Sequence, residues 1–388
     1  MSSPSTSRPE FDLAVVALSA RALAGSARRA ELRALAIDLF ADGDTRELAA
    51  EAVRVRSGRR GFEGPALLDA LRTHAPEGLP VVLGAGFEHA PSLMRAIAER
   101  NPVLGASPET VRRLKRPDRL ASLLAEAGVA HPEIRPAHSA PPPDGAWLSK
   151  RIGASGGAHI RPAGGAAQGR YLQRRVEGRS ISALFLADGA SARVVGFSEQ
   201  WLDPAPGAPF RYGGAVGPIA LPADLAAQVA ADLDRITRAT GLVGLASADM
   251  IVPEGGPSYW MLEINPRPGA TLDVFDRGDM PSLLRLHIDA FEGRLPASLP
   301  APVGAQAAAV LYAGFPVSAA SIERPVWTTD WPSCEEVVPA GAPVCSIVAA
   351  AASPSAARAL LDERRAALQS LLRAARPPLR RANRMVPA

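Results

Sequence analysis

The chain has 388 residues, 47% hydrophobic and 21% charged, with a formal net charge of +4. That length allows two or three domains, each with enough apolar material for a core of its own. The slight positive charge with no dense basic stripe speaks against a nucleic-acid partner, two cysteines are too few for a disulfide scaffold or a CxxC metal site, and no apolar run is long enough to cross a bilayer, so a cytoplasmic protein acting on small molecules is expected.

Residues 1–10, "MSSPSTSRPE", are polar, lack the basic and apolar regions of a secretory signal, and are expected to form a disordered tail. From residue 11 the pattern is strand, helix, strand: an apolar β-rich run, the helix-like "RALAGSARRAELRAL", then "AIDLF". The pattern repeats with a strand at 81–83, a glycine turn, a helix and a short strand at Val103. Residues 11–106 are therefore expected to form a small Rossmann-like domain of the parallel α/β kind. The segment from Ser107 reads as helical up to Gly128, with Leu120, Leu123 and Leu124 at helical spacing, and the proline-rich "HSAPPPDGA" marks a boundary. Beyond it come the strand "WLSK", a glycine loop, two strands joined at Glu177 and Gly178, and a long amphipathic helix from 222 to 241. A hairpin turning at "PEGGPS" follows. Residues 107–300 are expected to form a second domain, and 301–388 a small β-rich module closed by the helix "SAARALLDERRAALQSLL".

Lysine is nearly absent: 41 of the 43 basic residues are arginine, and the two lysines are Lys115 and Lys150. A compact ammonium fits among phosphate oxygens where the wide guanidinium fork does not, so retention of lysine at these two points suggests a nucleotide phosphate site. Lys150 ends a predicted strand and is followed by Gly153, Ser155, Gly156 and Gly157, residues whose backbone N–H groups can converge on an anion. The order differs from the GxxxxGK[ST] and GxGxxG patterns, and a flexible glycine hairpin is the alternative. In "ADMIVPEGGPSYWMLEINPRPG", Asp249 and Glu263 lie on opposite arms of the hairpin, with Asn265 on the same face as Glu263. Two carboxylates and an amide oxygen suit Mg²⁺ (or Mn²⁺), and Arg267 can hold a phosphoryl oxyanion; a solvated acidic edge is the bland reading.

A lysine before a glycine loop, then "YLQRRVEG", then "ADM" and "MLEINPRPG", in that order, resemble the ATP-grasp superfamily over residues 110 to 290. The resemblance implies an ATP-grasp fold of mixed α/β and α+β class, with the Rossmann-like front section as the domain that precedes it. It implies ATP as a ligand and Mg²⁺ as the metal, with Lys115, Lys150, Ser155, Gly156, Gly157, Gln173, Arg175, Val176 and Glu177 at the nucleotide. Asp249, Glu263 and Asn265 would hold the metal, and Arg267 with Lys150 would act on the transferring phosphoryl group. Arg119 rivals Lys115 as the first cation, because many relatives carry theirs nearer residue 117; Gln173 stands where many have an acid. The implied reaction joins a carboxylate to an amine through an acyl phosphate, giving ADP and phosphate. The alternatives are a bicarbonate-activating enzyme and a nucleotide sensor without turnover. The tail is similar to that of the carboligase-like branch related to biotin carboxylase, and the layout to ATP-grasp proteins of methanopterin-linked C1 metabolism that resemble tyramine–glutamate ligase. That likeness implies glutamate and an amine as substrates, in methanofuran-type cofactor synthesis. A homodimer is possible in such a family. Arg211 and Tyr212, in "FRYGGAVGP", are candidates for a wall of the acceptor pocket, or for a tight aromatic turn. Cys345 reads as a small buried hydrophobe and His287 as a core histidine.

Overall fold

The computed structural model describes residues 10–375 except 138–140, 142, 143, 145, 166, 257, 321 and 334–336. The expected N-terminal tail, much of the proline-rich boundary and Cys334 thus lie outside the described residues.

The front section is a five-stranded parallel sheet, in the order Glu51–Arg54, Ala34–Asp38, Leu13–Val16, Val81–Leu83 and Val103–Leu104. Every residue of Leu13–Val16 and Ala34–Asp38 is buried, which is why these strands read as unbroken apolar runs and not as alternating ones. Helices Arg21–Arg29, Gly64–His74 and Pro91–Ala98 present buried apolar faces to it. Strand order reverses between Leu13–Val16 and Val81–Leu83, so the carboxyl ends of these two strands flank a crevice. The edge strand Glu51–Arg54 was not legible in the sequence, since it is short and only partly buried.

The stretch expected as one helix up to Gly128 is two, Pro108–Lys115 and Pro117–Glu126. Pro117 restricts Arg116 to an extended conformation (φ −91°, ψ 116°), which ends the first helix and starts the second. Lys115 thereby becomes the last residue of a helix, next to a corner.

The second region holds two antiparallel sheets. A four-stranded one has the order Arg161–Pro162, Trp147–Arg151, Arg170–Arg174 and Ile134–Pro136. The larger has eight strands: Trp260–Asn265, Val243–Val252, Arg179–Asp188, Ala192–Leu202, Tyr212–Gly217, Ala305–Tyr312, Pro343–Ala351 and Thr328–Thr329. The two strand-like runs around Glu177 and Gly178 are therefore consecutive in sequence but belong to different sheets. Gly178 makes the crossing at φ +145°, and a Cβ there would stand 2.4 Å from the carbonyl oxygen of Val252. The boundary expected at residue 301 divides the chain but not the sheet: Gly214 pairs with Ala309, so the last section prolongs the sheet that carries the acidic hairpin. Helix Ala223–Thr240, ended by Gly241 in the left-handed conformation (φ 61°), buries Leu225, Val229, Leu233 and Ile236. Helix Pro354–Ala374, capped by the Ser353 hydroxyl accepting from the Ala356 N–H, covers the prolonged end with Leu361 and Leu368.

Among the described residues no helix is long and apolar enough to cross a membrane. Cys345 is buried in the last strands, and burial pushes its thiol pKa up, as suits a small hydrophobe. His287 is fully enclosed: Nδ1 accepts from the Leu245 N–H at 2.8 Å and Nε2 donates to the Leu104 carbonyl at 3.0 Å, which ties helix Leu283–Phe291 to both sheets. A side chain at Gly244 or Gly105 would run into its ring.

Candidate functional site

The two antiparallel sheets enclose a cavity of about 440 Å³ between them. Strand Trp147–Arg151 puts Lys150 into it from one side; strands Val243–Val252 and Trp260–Asn265 put Asp249 and Glu263 in from the other. Asp249 and Glu263 are directly paired across the hairpin, and Ser247 pairs with Asn265, as period-two alternation requires. Gly156, Gly157, Gln173, Arg175, Val176, Glu177 and Tyr212 line the same cavity. Such a volume with mixed apolar and polar walls is of the size that holds a small ligand.

The charges are unevenly satisfied. Lys115 Nζ donates to Asn265 Oδ1 at 2.5 Å and reaches Glu263 Oε2 at 3.4 Å. Asn265 Nδ2 donates to Asp249 Oδ2 at 3.0 Å, and Gln200 Nε2 to Asp249 Oδ1 at 3.2 Å. Lys150 is only 7% exposed, yet among the described residues its ammonium makes no hydrogen bond. Burial lowers its pKa, against the opposing pull of Glu263 and Asp249. Asp249 is driven above the ordinary carboxylate range, first by burial and then by the charge of Glu263. For Glu263 burial acts the same way but is outweighed by Lys115 and Lys150, so its carboxyl ionises more readily.

The glycine loop is fixed at Gly156 and Gly157. The Tyr212 N–H donates to the Gly156 carbonyl at 3.0 Å, and Gly157 (φ +73°) passes so close to Phe210 that a Cβ would overlap its carbonyl oxygen. The N–H groups of Ser155, Gly156 and Gly157 have no acceptor among the described residues, which leaves three donors for an anion.

Some expected residues are elsewhere. Ser155 lines a neighbouring cavity, and Lys115 lines a small one beside Glu263, touching Glu263 and Asn265. Arg119 is at the surface, 3.3 Å from Glu109, and does not compete with Lys115 for the site. Arg267 lies in the seam with the front section, its Nε donating to Glu88 Oε1 at 2.8 Å. Of the two readings expected for Arg211, a pocket wall or a tight aromatic turn, its surroundings match the turn. Its guanidinium donates to the carbonyl and the carboxylate of Asp203 at 2.9 and 2.6 Å and stacks 3.6 Å from the Tyr312 ring centroid, so it anchors a turn. Arg175 and Glu177 are 3.8 Å apart and well exposed, and meet the cavity at its rim.

Three participants escaped the sequence reading. Gln200 orients Asp249 from the strand next but one. Glu88 holds Arg267; its carboxyl is pulled down to about 2, since the Arg267 and Lys115 charges outweigh the cost of burial. His159 lines both cavities and has its pKa lowered to about 4, chiefly by burial, so it is neutral near pH 7. Its Nδ1 accepts from the Arg151 N–H at 3.1 Å, which places the proton on Nε2. An acid just past the end of a parallel strand, as in "GFEHAP", is a signal that could have found Glu88.

The residues present fit a divalent cation. Asp249 and Glu263 crowd two half-buried carboxylates together at a cost visible in the raised pKa of Asp249, and a hard cation relieves that repulsion. Asn265 has its oxygen engaged by Lys115 and, as placed, orients Asp249. Among the described residues no group of three or more His, Cys, Asp or Glu could hold a metal by itself, so further oxygen ligands have to come from a bound substrate or water.

Comparison with known proteins agrees with this geometry. Residues 119–271 match the model of the ATP-grasp domain family. No curated protein sequence matches the chain. Among solved structures, the 2-oxoglutarate carboxylase biotin carboxylase domain dimer of Hydrogenobacter thermophilus, in complex with MgADP, ADP and bicarbonate, superposes with a TM-score of 0.70 at 13% identity, over 94% of this chain and 90% of that one. The L-amino acid ligase of Bacillus licheniformis gives 0.65 at 14%, over 92% and 97%. Pyruvate carboxylase of Rhizobium etli gives 0.69 at 14% over 92% of this chain, which spans only 36% of that protein's length. At such identities the likeness is one of fold. The chain has the ATP-grasp fold, and residues 119–271 are the part that matches the ATP-grasp domain model.

Proposed function

We propose that the chain is an ATP- and Mg²⁺-dependent ligase that activates a carboxylate as an acyl phosphate and transfers it to an amine. The observation that carries the reading is the buried Lys150 ammonium without a hydrogen-bond partner among the described residues, facing Asp249 and Glu263 in one cavity. A buried unpaired charge is costly, and the fold keeps it where a triphosphate supplies the missing anion.

In this reading the adenosine lies along residues 173–177, where Gln173 is already fixed by its bond to the Leu262 carbonyl at 3.3 Å. The N–H groups of Ser155, Gly156 and Gly157 receive phosphate oxygens, and Lys150 neutralises them. Mg²⁺, held by Asp249 and Glu263, supplies charge compensation at the phosphates. Arg267, fixed through Nε by Glu88, keeps its terminal N–H groups for the transferring phosphoryl group. The chain contributes position and charge, and no covalent nucleophile is required. The carboxylate oxygen attacks the terminal phosphorus and ADP leaves; the amine then attacks the acyl carbon and phosphate leaves. The layout favours glutamate as the acid and an aryl amine as the acceptor.

The test is ADP release from MgATP with glutamate and aryl amines, singly and together. Turnover that needs both supports the ligase. Bicarbonate-stimulated turnover without an amine favours the carboxylase reading suggested by the carboxylase structures, and tight binding with no turnover favours a sensor. Glu263→Gln is expected to lower ADP formation about 10³-fold. Activity within about tenfold of the parent would remove the metal assignment.

A further inference from the structure

A second cavity of about 440 Å³ lies against the first, between the glycine loop and the front section. Leu18, Leu39 and Gly86, each just beyond the carboxyl end of a parallel strand, form one wall. This is the crevice at which the strand order reverses, the place where open parallel sheets take ligands. The facing wall is packed hard against it: Gly153 (φ +71°) lies where a Cβ would stand 2.9 Å from the His89 Cα.

The lining is cationic. Arg60, at the tip of the two-strand hairpin of the front section, and Arg151 and Arg161, on paired strands of the small sheet, all border the cavity. None of the three has a carboxylate partner among the described residues, although most arginines near acids in this chain are paired. The one acid in the lining, Glu88, is already neutralised by Arg267. His89 and His159 are both shifted down by burial, so near pH 7 they offer hydrogen bonds and no charge. All three guanidinium groups are exposed to solvent, so a ligand with one carboxylate engages one of them and a second anionic group can engage another. His159 borders both cavities, so an acid whose reacting carboxylate sits beside it also abuts the nucleotide cavity.

We propose that this cavity binds the acid substrate and selects one with a second anionic group, a dicarboxylate or a phosphorylated carboxylate, held by Arg60 and Arg161 while the first carboxylate lies beside His159. Anion binding stands on the cavity alone; the role as activated substrate rests on the ligase reading above.

Calorimetric titration of the full chain tests it with matched probes, succinate against propionate and phosphoglycolate against glycolate, in the presence and absence of MgADP. Each multiply charged probe is expected to bind about tenfold or more tighter than its match. The better of the two identifies carboxylate or phosphate as the second group. In Arg60→Ala/Arg161→Ala, two exposed positions, that advantage is expected to vanish while MgADP affinity is unchanged. Equal affinities for matched probes, or an advantage that survives the double substitution, would overturn the proposal. Failure to bind MgADP with the probe result intact would overturn the ligase reading and leave the anion site standing.

Discussion

Two buried ionic clusters divide the labour in this molecule. Arg21, at the start of a front-section helix, donates to both Asp273 oxygens at 2.6 Å and to Asp330 at 3.2 and 3.1 Å. Asp330 also accepts from Ser19, and Asp44 accepts the N–H groups of Asp330 and Trp331. Each carboxylate there has at least two donors from within the chain, and four stretches of it, at residues 19–21, 44, 273 and 330–331, are tied together. The cluster at Asp249 and Glu263 is built the other way: Lys150, facing both acids, has no hydrogen bond among the described residues, and the two acids repel each other. Arg21 finds its partners within the chain through a planar fork, whereas the compact ammonium of Lys150 has no hydrogen-bond partner among the described residues.

Arg21→Ala should do the most damage to the first cluster, about 3–5 kcal/mol of stability from stranding buried carboxylates, read from chemical denaturation. Activity per folded molecule is expected to stay near that of the parent. If Arg21→Ala instead lowered turnover and spared stability, the division between the clusters would collapse.

The seam between the sections gives an intermediate case, because Glu88 and Arg267 are an internal pair placed at the site. The Glu88 carboxyl has its pKa lowered from 4.5 to about 2, so its stabilising contribution is present above pH 4.5 and is lost as pH falls toward 2. The loss is about 3 kcal/mol. In Glu88→Gln the slope of stability against pH between 4.5 and 2 should flatten by that amount. An unchanged acid limb would mean that the pair is not coupled to folding.

These contrasts show what the sequence could carry. The lysine asymmetry, the glycine loop and the alternation around Asp249 and Glu263 are local, and the structure brings Lys150, Gly156, Gly157, Asp249 and Glu263 into one cavity. The Arg21 cluster was illegible because all its carboxylates come from distant segments. Glu88 had a local signal past the end of its strand, but its pairing with Arg267, 179 residues away, had none, and the place of His159 between the two cavities follows from how the sections pack. The choice between the two readings of Arg211 was not legible, because it turns on Asp203, eight residues upstream, and on the distant Tyr312, which take up its guanidinium. The single sheet across residue 301 depends on Gly214 meeting Ala309, which no sequence pattern announces.

The smallest expected effect is the most discriminating. Methionine fills much of the volume of lysine but carries no charge, so Lys150→Met replaces an unpaired buried ammonium with an apolar chain of similar length. If the ammonium is kept for a ligand, the unliganded protein should gain about 1 kcal/mol in chemical denaturation while losing MgADP binding. Arginine-to-methionine exchange at residue 21 must go the opposite way, since there the charge is matched from within. A loss of more than about 1 kcal/mol in Lys150→Met would mean that Asp249 and Glu263 already hold Lys150 as firmly as Asp273 holds Arg21, and that the second cluster is structural like the first.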